Sequence, residues 1–171
     1  MHEGNLTALR NMRGITKGKT YRCDKRGVFL NDYGEFAYIK LDGILAPKLF
    51  SVLSYETLKP GDIISINRGY GKRWVLIFKG LYKDLRTHRN FSRFNIAKDT
   101  TIAYSALLNY DGCQNSYFVP RDSIGIGAAD DGDNQDFRMA NQQERNALFD
   151  KMIEAKVVYD FKLKELVPME A

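Results

Sequence analysis

From Lys17 onward the chain alternates short apolar runs with turns rich in Gly, Asn and Asp, a rhythm that predicts strands. Lys19 to Arg22 and Val28 to Leu30 flank the turn Asp24-Lys25-Arg26-Gly27, and Asn31-Asp32-Tyr33-Gly34 turns into the apolar run Phe36 to Leu41. Pro60-Gly61-Asp62 fixes a tight turn into Ile63 to Ile66, and Arg68-Gly69-Tyr70-Gly71-Lys72 reads as a hairpin tip. Trp74 to Phe78 is apolar without alternation, so it should be buried on both faces and lie at the centre of its sheet. Thr101 to Leu108 and Ser116 to Val119 form a further pair around Asn109 to Gly112, followed by Ser123 to Ile126. Residues 1–16 have no clean period and predict an irregular arm. Asp42 to Tyr55 fits a short helix opening at Pro47 and a strand over Phe50 to Tyr55 equally well.

The pattern changes after Ala128. Ala128 to Asp136 is small and acidic, which marks a linker, and its carboxylates miss the spacing of a calcium-binding EF-hand loop. Asn141 and Glu144 stand at the positions of an N-cap and its reciprocal acid, predicting a helix over Gln142 to Ala155. Its apolar stripe is Leu148, Phe149, Met152 and Ile153, and Val157 to Tyr159 with Glu165 to Val167 predict a closing hairpin. The expected fold is mainly β (α+β): an irregular arm over 1–16, a small, partly open SH3-like or OB-like β-barrel over 17–127, an acidic linker over 128–137, and a helix–strand–strand appendage over 138–171. That appendage is too small to stand alone, so its stripe must dock on the barrel or on another protein.

Composition narrows the function classes. The 171 residues, 44% hydrophobic and 27% charged, exclude disorder and a disulfide scaffold. Cys23 and Cys113 match no Cys/His ligand spacing, so no metal site is expected and both are read as reduced thiols. Met1 to Leu6 lacks the apolar run of a secretory signal, and no window approaches about 18 apolar residues. The expected location is the cytoplasm of a bacterial host or a phage virion, away from membrane. The only histidines are His2 and His88, and no nucleophile elbow, phosphate loop or zinc motif occurs, so neither an enzyme nor a cofactor is expected.

Charge is uneven. Residues 1–127 hold 20 Lys/Arg against 11 Asp/Glu, whereas residues 128–171 hold 6 against 10. Within the basic part, Lys72 to Lys98 carries cations with one acid, Asp84, and interleaves aromatic rings. Guanidinium groups grip phosphates while exposed rings stack on unpaired bases. The candidate nucleic-acid site is therefore Arg73, Lys83, Arg86, Arg89 and Arg93, with Tyr82, Phe91 and Phe94 as stackers. The same loop also suits an acidic protein partner.

Trp74 to Gly80, Tyr104 to Leu107, and the tail Arg138-Met139-Ala140 … Glu144 … Leu148-Phe149 … Tyr159-Asp160 … Lys164-Glu165 resemble uncharacterised small proteins of phages and prophages from gut anaerobes. The chain departs from that pattern at Asn141, where Thr is usual, and at Tyr159, where Trp is usual. The resemblance implies a phage context and assigns no site residues. Two functions follow as expectations. One is a non-catalytic module binding single-stranded nucleic acid without sequence preference. The alternative is a phage protein-interaction or virion-associated structural protein, with Leu148, Phe149, Met152 and Ile153 docking on a phage or host partner.

Overall fold

The computed structural model describes residues 4–111 and 115–169, a mainly β chain with open sheets and a helical appendage. Cys113 lies outside the described residues. The chain divides into two compact units at Thr57/Leu58.

The first unit contains β1 (Gly4–Ala8), β2 (Thr20–Cys23), β3 (Val28–Leu30), β4 (Phe36–Tyr38), α1 (Ala46–Leu49) and β5 (Phe50–Leu53). An antiparallel sheet has the order β2-β1-β5, and β3 pairs with β4 as a separate hairpin. The irregular arm expected at 1–16 is thus replaced over Gly4–Ala8 by the central strand of this sheet. Leu6 and Ala8 are sealed in a core with Tyr21, Cys23, Phe29 and Phe50, and that burial stabilises a strand too short to display its own period. Phe29 holds the core together, its ring 5.6 Å from Tyr21 and 5.8 Å from Phe50. The ambiguous stretch adopts both conformations in series, one helical turn with Pro47 in its first turn and then strand β5.

Gly27, in the turn before β3, has φ +84°, and a Cβ there would lie 1.9 Å from the Ile39 carbonyl oxygen. The left-handed backbone alone costs a side-chain-bearing residue about 1–2 kcal/mol, and the overlap adds to it. Gly27→Ala should therefore lower the unfolding free energy by at least about 2 kcal/mol in a urea titration.

The second unit contains β6 (Ile63–Gly69), β7 (Lys72–Leu81), α2 (Tyr82–Leu85), β8 (Thr101–Tyr110), β9 (Asn115–Val119), β10 (Ser123–Ala128), β11 (Phe137–Met139), α3 (Gln142–Glu154), β12 (Val157–Asp160) and β13 (Glu165–Pro168). Its main sheet has the order β10-β8-β7-β6-β11, with β9 also on β8. As its unbroken apolar run requires, β7 lies between two long neighbours, and Val75, Leu76 and Ile77 have no exposed surface. Helix α3 covers one face: Leu148 and Met152 pack with Val75, Ile77, Ala106 and Leu108.

No linker separates the helix from this sheet. In place of the acidic linker expected over 128–137, the chain makes a packed turn that delivers β11 to the edge of β6. The Asp131 carboxylate accepts from the Ala128 N–H at 2.9 Å, and the buried Asn134 amide donates to the Ala128 carbonyl at 2.9 Å. Local bonding of this kind, rather than solvation, is what Asp131 and Asn134 serve.

Candidate functional site

The basic segment that carries most of the candidate nucleic-acid residues, Leu81 to Asp99, is folded onto itself. The Lys83 N–H donates to the Asp99 carbonyl at 2.8 Å, and the Tyr82 hydroxyl donates to the Phe94 carbonyl at 2.7 Å. Phe91 is fully buried and Tyr82 nearly so, which removes both from any stacking surface; Phe94 is half-buried. The physical reason is that large rings in a short excursion are worth about 1.5–3 kcal/mol each when buried, enough to pin the segment.

The cations of this segment are exposed but partly neutralised. Arg86 pairs with Asp99 and also lies over the Tyr82 ring, while Arg89 pairs with Glu165 at 3.2 Å. Arg93 lies over the Phe94 ring at 5.1 Å, and Lys83 faces solvent. Arg73 does not belong with them. It sits on β7 and donates to the Ser65 hydroxyl and carbonyl oxygens, with Glu144 at 3.5 Å. The proposed basic-aromatic site is therefore not one surface, and none of its rings is well exposed.

Arg73 instead completes a buried cluster that ties α3 to the sheet. Glu144, almost wholly buried, receives two bonds from Arg138 at 2.6 and 3.0 Å and one from the Ser65 hydroxyl at 2.8 Å. It also accepts from the Asn141 N–H at 2.9 Å, while the Asn141 side chain accepts from the Glu144 N–H, closing the expected capping box. Burial alone would raise the Glu144 carboxyl, but the Arg138 pair, the Asn141 N–H and the Ser65 hydroxyl outweigh it and hold the group below the usual carboxylate range. The helix stripe assigned to partner docking is likewise consumed internally. Leu148 and Met152 are sealed and Phe149 is half-covered by the same core, leaving Ile153 alone exposed. Amphipathic spacing reveals that a face is buried but not what buries it.

Two concave features remain. In the second unit, an open cleft of about 350 Å³ is lined by Arg89, Arg93 and Arg121 on its charged side and by Pro120, Leu166 and Val167 among its apolar residues. In the same unit the Tyr159 hydroxyl, on β12, is buried with no hydrogen-bond partner among the described residues. Burial and the charges of Asp122, Glu165 and Asp62 push its phenol up to about 12. A buried, unsatisfied hydroxyl destabilises, so Tyr159→Phe should raise the melting temperature, by the equivalent of about 1 kcal/mol.

In the first unit, a groove of about 470 Å³ is lined by Lys19, Arg22, Val28, Leu30 and Phe36 among others. No family model, curated protein or solved structure matches this chain. The β3–β4 register sets Leu30 opposite Phe36 and Val28 opposite Tyr38 on one face, with Phe29 and Ala37 on the other. Phe29 enters the core, so the opposite face meets water: Phe36 is 81% exposed, Tyr38 67% and Leu30 54%.

The turn that carries this hairpin is firmly held. The Asn31 side chain accepts from the N–H groups of Tyr33 and Glu35. Asp32 accepts from Lys19 at 2.6 Å, from Thr16 at 2.8 Å and from the Tyr21 hydroxyl at 2.9 Å, joining the turn to β2. The Lys19 ammonium, with Thr16 and Tyr21, holds the Asp32 carboxyl below its ordinary range. The apolar run Phe36 to Leu41 did not mark these rings as a site, because an apolar run by itself does not say which face is covered. The legible signal was the alternation itself: Phe36 and Tyr38 share a face, Ala37 and Ile39 the other.

Proposed function

We propose that this chain is a non-catalytic, phage-type accessory module that binds single-stranded nucleic acid without reading its sequence, through the β3–β4 face. The observation that carries this reading is the pair of exposed rings, Phe36 and Tyr38, two residues apart on one strand. At about 3.3 Å per residue the two side chains leave the strand roughly 6.6 Å apart. This is the arrangement by which sheet-borne RNA-binding modules stack successive unpaired bases. Lys19 and Arg22 line the groove that Phe36 borders and supply charge for phosphates, Lys19 while also paired with Asp32. Over residues 1–57 the unit carries nine Lys/Arg against six Asp/Glu, a balance that attracts any anionic partner; the rings select unpaired bases.

The resemblance of the tail, Arg138 to Glu165, to small phage proteins supports a phage setting, in the host cytoplasm or in the virion. The alternative role, contact with another phage or host protein, is favoured by a different feature, the arginine-lined cleft of the second unit. A fluorescence-anisotropy titration with a labelled oligo(dT) of about 16 nucleotides tests the main reading. With about two phosphate contacts, affinity should fall roughly sevenfold between about 50 and about 200 mM salt, and duplex DNA should bind more weakly. Absence of binding at the lower salt, or equal affinity for duplex, contradicts it.

A further inference from the structure

We infer that the cleft of the second unit binds an extended acidic peptide segment of a partner protein, paired along β13 with its carboxylates on Arg93 and Arg121. This inference is independent of nucleic-acid binding by the first unit. Three observations carry it.

The first is charge. The two acids that line the cleft are engaged from within: Glu165 holds Arg89, and Asp122 accepts from Asn90 at 2.6 Å with the Lys79 ammonium 3.9 Å away. Arg93 and Arg121 line the same cleft and form no ion pair among the described residues. Two guanidinium groups are thus left to face an incoming anion, in the fork geometry that matches carboxylates.

The second is an open strand edge. Among the described residues β13 pairs with β12 alone, and all four of its residues line the cleft; just before it, the Lys164 carbonyl is taken by the Lys79 ammonium at 3.1 Å. The Met169 N–H donates to the Lys156 carbonyl at 2.9 Å, which fixes the alternation of the antiparallel ladder. Val167 and Glu165 then turn their amides inward to β12, and the Leu166 N–H and carbonyl point outward. A peptide strand can satisfy both groups, donating to one and accepting from the other. A phosphodiester backbone brings acceptors only and would leave the Leu166 carbonyl unmet.

The third is the lining. It contains no aromatic ring to stack a base, whereas Pro120, Val157 and Leu166 offer apolar surface to the side chains that alternate with the carboxylates.

The test uses the full chain and a labelled peptide alternating Glu or Asp with Val. Its controls are the Gln/Asn counterpart, the same acidic peptide N-methylated at alternate residues, and oligo(dT). The acidic peptide should bind, and both the amide counterpart and the N-methylated form should bind at least about tenfold more weakly. The double substitution Arg93→Glu with Arg121→Glu should cause a similar loss while leaving the melting temperature and the oligo(dT) affinity unchanged, because both side chains are exposed. No binding of the acidic peptide, equal binding of its amide counterpart, or indifference to N-methylation overturns the inference. A loss of oligo(dT) affinity in the double variant would instead make the cleft a nucleic-acid surface and likewise overturn it.

Discussion

Replacing Glu144 with alanine will lower the unfolding free energy by about 3–5 kcal/mol, the cost of removing one partner from a buried ion pair. The side chain is only 2% exposed and answers four groups: Arg138, Ser65, the Asn141 N–H and, at longer range, Arg73. Its removal leaves two half-buried guanidinium groups without their counter-charge, and it opens the capping box of α3, worth about a further 1 kcal/mol. Glu144→Gln keeps the volume and part of the hydrogen bonding but not the charge, so its loss should be smaller. Urea unfolding of the three proteins checks the order wild type, Gln, Ala.

The same carboxyl predicts the pH dependence. Its pKa in the folded chain lies below the ordinary carboxylate value, so the unfolded chain takes up the proton first as pH falls. The stabilisation is full above the unfolded-state value, about 4.3, and is lost as pH drops through the folded-state value. Wild type should lose stability in that window more steeply than Glu144→Gln, which has no proton to bind there.

The second large effect is on binding. Base-on-ring stacking contributes about 1–3 kcal/mol per base, so Phe36→Ala and Tyr38→Ala should each weaken oligo(dT) by roughly fivefold to a hundredfold. The double variant should lose more than either, with little change in melting temperature, because both side chains already face water. Phe29, on the buried face of the same hairpin, is the contrasting position. Phe29→Ala should destabilise the first unit by about 3–5 kcal/mol, which separates loss of fold from loss of ligand. Because Asn31 and Asp32 already fix the turn, stacking need not order it.

Elements whose burial is written into a long period were legible from sequence. The continuous run of β7 placed it inside the sheet, and the Asn141/Glu144 pair fixed the start of α3 to within a residue. Short elements stabilised by tertiary contact were not. β1 is five residues long and owes its place to Leu6 and Ala8 meeting Tyr21 and Phe50, a contact between distant parts of the chain. The site was harder still. Charge density around Arg86 and Arg89 suggested a binding loop, but sequence spacing does not reveal that Asp99 and Glu165 fold back on those cations or that Phe91 is sealed. Conversely, alternation puts Phe36 and Tyr38 on one face of their strand, but only the pairing with β3 and the burial of Phe29 decide that this face meets solvent.

Ultraviolet cross-linking of the full chain to oligo(dT), followed by mass-spectrometric mapping of the modified residues, asks most directly where a single strand lies. Cross-links at Phe36 or Tyr38, suppressed by excess unlabelled oligo(dT), are the predicted result. Cross-links confined to Arg86 through Phe94, or none on the β3–β4 hairpin while the strand is bound, would contradict it.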